Sequence, residues 1–364
     1  MKEFKKIDAI LADEPVYRLE QIKKARFDVN VNGYGEITTL PLALRDKLKD
    51  LPWLSVEPNT LAESKVDSTK KALLRLSDGQ LIETVLMGRE NKKGTRQSAE
   101  RYTICVSSQA GCAMRCAFCA TGLVGFRRNL TAEEIVDQYR FWQRYLHLTT
   151  PKSLLPRHGR GKLHEGRLTI SNIVVMGQGE PLLNYDNLKQ ALNTIIIQTE
   201  IGPTKITIST CGVRAGMERM VEDEEFPQVR FALSLHSAIE ETRTRIMPVH
   251  QKGFLDFFVK WAEEYHRKIP SRTHFIGLEY IMLDGFNDDE RHLKALIKFA
   301  SRIPRVRINL IPYNNTEQNN LTTSGNIKLW QDKLMKAGFV CTIRHSQGQD
   351  IAAACGQLRN ALMD

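Results

Sequence analysis

The chain has 364 residues, 42% of them apolar, and sets 52 Lys and Arg against 42 Asp and Glu for a formal charge of +10. That length suits one large domain plus an accessory one. Apolar runs such as Ile173-Val174-Val175-Met176 are far too short to span a bilayer, and the start Met1-Lys2-Glu3-Phe4-Lys5-Lys6 has no signal-peptide core, so a cytoplasmic protein without membrane contact is expected. The basic excess suggests an anionic partner, most often nucleic acid.

Residues 1 to about 52 read as helical. Tyr17, Leu19, Ile22 and Ala25 fall near helical spacing beside the basic Lys23, Lys24 and Arg26, and a second piece runs from Pro41 to Leu51 with Leu42, Leu44 and Leu48. This predicts a small helical accessory domain over 1–55, either a plain bundle with solvated lysines or an RNA contact. The pattern then turns to alternation. Residues 72–76 and 81–87 flank Asp78-Gly79 and predict a hairpin within an extension over 56–97. Glu83 falls in its second strand, where alternation alone makes it a solvent-facing member. Residues 88–100 are polar and basic, a candidate boundary loop.

A β-type run over 101–106 leads to Cys112-Ala113-Met114-Arg115-Cys116-Ala117-Phe118-Cys119. Three thiolates in C-x3-C-x2-C spacing suit three irons of a [4Fe–4S] cube and leave the fourth iron open. Zinc is a rival, although such sites usually need a second nearby pair. Three unrelated thiols are the plainest alternative. The full set of seven cysteines is odd and uneven, unlike a secreted disulfide framework, and fits a reducing compartment.

Past a glycine-containing turn with Arg127 and Arg128, Thr131 and Glu134 form a capping box. It opens a helix to about His147 whose buried stripe is Ile135, Tyr139, Trp142 and Leu146. A basic, glycine-bearing insert over 149–167 reads as a solvated or phosphate-contacting loop. From Leu168 onward, strands are expected near 169–176, 204–210, 229–235, 274–282, 305–311 and 339–344. Helices are expected near 185–199, 213–221, 254–267, 288–301 and 325–337. Alternating β and α units imply an α/β fold with a parallel sheet and right-handed crossovers. Too few strands are present for a closed eight-stranded barrel, which leaves an open or partial one.

Ligands of such sheets sit at the carboxyl ends of the strands. Those ends read Gly177-Gln178-Gly179-Glu180, Ser209-Thr210-Cys211-Gly212, Ser234-Leu235-His236 and Pro312-Tyr313-Asn314. Together they form a credible pocket for a polar cofactor. Near the C-terminus, Cys355 lies among small residues, Ala352-Ala353-Ala354-Cys355-Gly356, that would leave its sulfur accessible. Cys341 lies inside an apolar strand and reads as core.

With Phe118 before the last cysteine, the motif resembles the radical S-adenosylmethionine superfamily. Four stretches together resemble the RlmN/Cfr group of RNA adenosine methyltransferases, RlmN most of all: residues 105–112, Met176-Gly177-Gln178-Gly179-Glu180-Pro181, Ser234-Leu235-His236 and Ala354-Cys355-Gly356-Gln357-Leu358. The likeness runs from about residue 14 to 358. It implies a partial (βα)6 radical-SAM barrel over 98–350, the helical accessory domain and β-hairpin extension before it, and a C-terminal segment over 351–364 that carries Cys355.

The resemblance implies roles residue by residue. Cys112, Cys116 and Cys119 would hold one [4Fe–4S] cluster per subunit. Gly179, Glu180, Ser209, Ser234, Leu235, His236 and Asn314 would line the S-adenosylmethionine site. Two molecules of S-adenosylmethionine would be consumed per methylation, one to methylate Cys355 and one to yield a 5′-deoxyadenosyl radical. Cys105 would resolve the protein–RNA crosslink through a disulfide with Cys355, and Glu83 would accept the proton. The implied substrate is C2 of an adenosine in 23S rRNA and of the adenosine 3′ to the anticodon in tRNA. The implied partners are those RNAs and an electron donor such as flavodoxin or ferredoxin, for a monomeric enzyme. Alternatives are the sister activity at adenosine C8, which confers antibiotic resistance and against which Pro181 leans, and a non-catalytic cluster- or zinc-stabilised RNA-binding protein. The insert at 149–167 and Cys211 are departures from the family pattern, and Cys211 receives no catalytic role.

Overall fold

The computed structural model describes residues 4–89, 101–149, 168–271, 274–316 and 320–360. Most of the expected 88–100 loop and all of the 149–167 insert past Thr149 lie outside those residues.

Three short helices come first: α1 (Phe4–Leu11), α2 (Val16–Arg26) and α3 (Leu42–Leu48). They close on a small core of their own that includes Ile7, Ile22, Tyr34, Leu44 and Leu48. The expected stripe is only partly right, because Tyr17, Leu19 and Leu42 are exposed. The apolar residues of α2 spread around the helix instead of sharing one face, so packing can bury only Ile22 fully.

β1 (Val56–Glu63), β2 (Lys70–Leu76) and β3 (Leu81–Arg89) form an antiparallel meander. Its second turn carries Gly79 at φ +82°, a conformation that favours glycine. β3 then pairs antiparallel with β4 (Arg101–Cys105), so the hairpin continues directly into the main sheet. After β5 (Gln109–Ala110), α4 (Ala120–Val124) and β6 (Arg128–Asn129), helix α5 (Ala132–Thr149) begins with the expected capping box. Glu134 N donates to Thr131 Oγ1 at 3.2 Å, and Thr131 N donates to Glu134 Oε2 at 2.9 Å. Its stripe of Ile135, Tyr139, Trp142 and Leu146 is buried. Its polar side holds the N-terminal segment: Arg140 Nε donates to the Arg26 carbonyl at 2.8 Å, and Ser55 N donates to Asp137 Oδ2 at 2.6 Å.

The remaining chain alternates β7 (Thr169–Val175), α6 (Tyr185–Gln198), β8 (Ile206–Thr210), α7 (Arg214–Glu222), β9 (Arg230–Ser234), α8 (Glu240–Ile246), α9 (Phe254–Lys268), β10 (Ile276–Met282), α10 (Glu290–Ala300), β11 (Val306–Pro312), α11 (Ile327–Lys336) and β12 (Val340–Ile343). β4 and β7 to β12 pair parallel in sequence order, and the two ends of the sheet do not pair among the described residues. The result is an open, partial α/β barrel. Strand alternation sorts its faces. Ile104, Ile173, Ile208, Phe231, Leu278 and Ile308 face the helices in the main core. Thr103, Ser209, Ser234, Glu279 and Asn309 take the other, concave face, which is polar. No helix among the described residues is long and apolar enough to cross a membrane.

Candidate active site

The cysteine loop runs from the end of β5 to the start of α4, and glycine permits its entry. Gly111 has φ +75°, and a Cβ there would meet the Gly125 carbonyl oxygen at 1.7 Å. The loop is held along its length: Cys112 N donates to Gly125 O at 3.2 Å, Ala117 N to Ile246 O at 2.9 Å, and Ala120 N to Gly356 O at 2.7 Å. These bonds tie it to α8 and to the segment that carries Cys355.

Burial pushes the Cys112 thiol up to about 12. Burial, followed by the charges of Cys119 and Cys112, pushes the Cys116 thiol up further in the same direction. The three sulfurs therefore lie within electrostatic reach of one another, and the free protein holds Cys112 and Cys116 protonated. Ligation would release those protons. Among the described residues, no set of three or more His, Cys, Asp or Glu side chains is gathered tightly enough to hold a metal ion. A cube places its own irons and sulfides between three thiolates, so they need not converge on one point.

Beside this loop stand the strand ends. Gly179 has φ +97°, and a Cβ there would lie 2.5 Å from Gln109 Cβ, so glycine lets the chain pass against Gln109. Gln109 Oε1 in turn accepts from Glu180 N at 2.9 Å. The buried Glu180 carboxylate accepts from Leu182 N at 3.0 Å, Thr210 Oγ1 at 2.6 Å and Cys211 N at 2.8 Å. Burial pushes its carboxyl up, against the pull of those donors.

Ser209 and Ser234 bring their hydroxyls to 3.2 Å of each other. His236 adopts φ +57°, accepts from Ile281 N on Nδ1 at 3.1 Å and packs edge-on to Phe118 at 4.5 Å. Burial, then Arg243, lowers its imidazole to about 3, so the ring is neutral with its proton on Nε2. The Leu235 side chain is buried in the main core and faces away from these hydroxyls. Its amide donates to Glu279 O at 3.0 Å and its carbonyl accepts from Arg243 Nε at 3.1 Å.

The second pair of cysteines lies at the same end of the sheet. Cys105 ends β4. Burial first and the Cys355 charge second push its thiol up to about 12, which puts the two sulfurs within electrostatic reach. Cys355 is exposed, yet crowding around its sulfur and then Glu279 push its thiol up, while Arg344 opposes them and Cys119 adds to the rise. The segment that carries Cys355 thus touches both neighbours: Gly356 O accepts from Ala120 N at the end of the cysteine loop, and Ile351, Ala353 and Leu358 pack with Val85 and Cys105. Cys341 is buried in β12, as its apolar setting predicts.

Glu83 corrects the alternation reading, because it is 0% exposed. β3 has a partner strand on each side, and Ile351, Ala353 and Leu358 of the C-terminal segment cover its concave face at Val85. Glu83 Oε1 lies 2.9 Å from Lys71 Nζ, and Oε2 accepts from Asn360 N at 3.1 Å. Since Val85 is paired with Cys105, Glu83 shares a face with that thiol.

Sequence reasoning missed Lys71, Asn360, Arg243 and Glu279. Glu279 alone carried a signal, a carboxylate inside the apolar run Ile276–Met282. It is buried, and it accepts from Asn309 Nδ2 at 2.8 Å and Arg344 Nη2 at 3.1 Å.

The radical SAM superfamily profile matches residues 106–297, from the end of β4 to α10. A radical SAM methyltransferase from Sphaerobacter thermophilus superposes over 98% of this chain and 97% of its own, at 31% identity and a TM-score of 0.82. The chain belongs to the radical SAM superfamily. More distant structures are a domain of a pyruvate-formate lyase-activating enzyme from Bacteroides vulgatus (19% identity, 48% of this chain and 99% of that one, TM-score 0.37) and SuiB from Streptococcus suis bound to the precursor peptide SuiA (15% identity, 67% and 49%, TM-score 0.43). At that distance these two carry no inference about this chain.

Radical SAM proteins bind a [4Fe–4S] cluster and S-adenosylmethionine, and the residues present fit both. The loop offers three thiols and no competing carboxylate or imidazole. A buried arginine, Arg243, holds the carbonyl of Cys211, which packs with Cys116 and Cys119, so thiolates there would answer its charge. Cys112, Cys116 and Cys119 would hold the cluster. Glu180, Ser209, Ser234 and His236 would border the cofactor.

Proposed function

We propose that the protein is a radical SAM methyltransferase of RNA that places a methyl on C2 of an adenosine in 23S rRNA and of the adenosine 3′ to the anticodon in tRNA. One observation carries this reading: the segment that holds Cys355 is bonded to the cysteine loop and packs beside Cys105, and these two thiols have no use in simple cluster binding. The whole-chain likeness to a methyltransferase and the charge of +10 support it.

When bound, the cluster and S-adenosylmethionine supply a sulfonium methyl and the one-electron chemistry that an unreactive aromatic C–H demands. Cys355 receives the methyl on its sulfur as the thiolate, which burial and then Glu279 disfavour and Arg344 favours. Once that carbon is joined to adenine C2, Cys105 attacks the Cys355 sulfur. The sulfur–carbon bond breaks with its electron pair on carbon, which takes a proton from water to become the methyl, a Cys105–Cys355 disulfide forms and the RNA leaves; a small thiol or dithiol protein then reduces the disulfide. Glu83 takes the C2 proton. Because Asn360 seals that carboxylate, proton acceptance follows displacement of the C-terminal segment. A small redox protein such as a flavodoxin or ferredoxin supplies the electron, and the enzyme works as a cytoplasmic monomer.

The test is nucleoside mass spectrometry of rRNA and tRNA incubated with the reconstituted enzyme. 2-Methyladenosine with wild type and none with Cys355→Ala is the expected result. 8-Methyladenosine would move the activity to the sister carbon, and undiminished methylation by the variant would sink the mechanism.

A further inference from the structure

Arg243, on α8, is 1% exposed and has no carboxylate within ion-pair distance among the described residues. Its four hydrogen bonds go to neutral acceptors: Nε donates to Leu235 O at 3.1 Å, Nη2 to Cys211 O at 2.6 Å and Ser234 O at 3.4 Å, and Nη1 meets His250 Nδ1 at 2.5 Å. Its guanidinium lies 4.7 Å from the Phe254 ring centre. The nearest acid on its own helix, Glu240, reaches it only through His250, whose Nε2 is 3.9 Å from Glu240 Oε1. That oxygen is already engaged by Gly253 N at 2.8 Å.

A buried cation is normally paired, since neutral dipoles replace only part of the water it loses. Here geometry places the charge beside the cysteine loop: its Nη2 holds the Cys211 carbonyl, and Cys211 packs in one cluster with Cys116, Cys119 and Phe118. Three residues on, Ile246 O accepts from Ala117 N at 2.9 Å, which bonds α8 to the loop at the residue after Cys116.

We propose that Arg243 is the fixed counter-charge of the cluster: a positioning residue that stabilises the bound thiolates and raises the potential at which the cluster accepts an electron. The inference rests on the cluster assignment and is independent of the RNA reading. A cube with three thiolates is anionic and becomes more so by one unit on reduction. A unit positive charge held close by in a dry setting therefore favours the reduced form.

The experiment is a potentiometric titration of the anaerobically reconstituted full chain with dithionite and mediator dyes, read by the electron paramagnetic resonance of the reduced cluster. Wild type, Arg243→Lys and Arg243→Gln are compared at equal iron content. At the potential that half-reduces wild type, the ratio of reduced to oxidised cluster should fall roughly tenfold in Arg243→Gln and stay near wild type in Arg243→Lys. Coincident potentials in all three, or equal shifts in Lys and Gln, would overturn the proposal in favour of carbonyl bracing alone. If Arg243→Gln assembles no cluster, Glu240→Gln decides. Removing the acid behind His250 should move the potential upward, and an unmoved potential counts against the charge. Wild type that binds no iron would overturn the cluster assignment itself.

Discussion

The side-chain amide of Asn314 donates to the carbonyl of Cys355 at 3.1 Å. Its oxygen accepts from Gln349 Nε2 at 2.8 Å, so both ends of a residue expected at the cofactor hold the C-terminal segment. Asn314→Ala removes both bonds, each worth about 1 kcal/mol net, or roughly thirtyfold in the population of an opened loop. Iodoacetamide should then alkylate Cys355 about thirtyfold faster at pH 8, read by mass spectrometry. An unchanged rate would mean that the remaining contacts suffice.

Lys71 and Glu83 form a buried pair at 2.9 Å. Glu83→Gln keeps the shape and the contact to Asn360 but strands the ammonium, at a cost of about 3 kcal/mol in urea unfolding. Adding Lys71→Met should restore much of that loss. Strict additivity of the two substitutions would show that the pair does not act as a pair.

The parallel strands were legible in the sequence because each is a short apolar run followed by a helical period. β1 was not: only Val56 of its eight residues is buried, so no alternation appears. α8 was missed for a similar reason, since Glu-Glu-Thr-Arg-Thr-Arg-Ile offers no apolar stripe. In the site, the cysteines and glycines read clearly because spacing along the chain encodes them. Lys71 beside Glu83 and Asn360 over Glu83 depend on cross-strand register and a returning tail, and Arg243 against the Cys211 carbonyl on how α8 packs at the strand ends, none of which local pattern contains.

Gly179 and Gly202 make a matched contrast. A Cβ at Gly179 would strike Gln109 from a φ of +97°, whereas at Gly202, with φ −71°, nothing lies within 4 Å. Gly179→Ala should lower stability by about 1–3 kcal/mol and weaken S-adenosylmethionine binding by moving Glu180. Gly202→Ala should be neutral or gain about 0.5 kcal/mol. Calorimetric melting and titration read both, and equal effects would remove the steric argument.

The Cys105 thiol, pushed up to about 12, should resist alkylation. Against a free thiol of about 8.5, its thiolate fraction at pH 8 is at least about a hundredfold smaller. Cys105 should therefore label far more slowly than denatured protein, and faster as pH rises. With diamide as oxidant, a Cys105–Cys355 disulfide should form through the Cys355 thiolate and be absent from Cys105→Ser. Peptide mapping that finds Cys105 joined to another cysteine would contradict the pairing.

Three histidines make stability depend on pH below neutrality. Burial, then a neighbouring arginine, lowers His236 to about 3 and both His250 and His266 to about 4. Unfolded, each titrates near 6.5. Between these values the unfolded chain binds more protons, so the stability of keeping the rings neutral is complete above about 6.5 and is lost as pH falls towards 4. Glu180 and Glu133, whose carboxyls burial pushes up, act in the opposite direction. Three histidines against two glutamates leave a net uptake that grows to about one proton near pH 5, about 1.4 kcal/mol per pH unit there. Urea unfolding should show stability falling from pH 6.5 to 5 at constant m-value. His266→Phe, far from the cysteine loop, should flatten that slope by about one proton. A flat wild-type profile over this window would mean that the rings charge in the folded state, and that their burial is looser than their surroundings suggest.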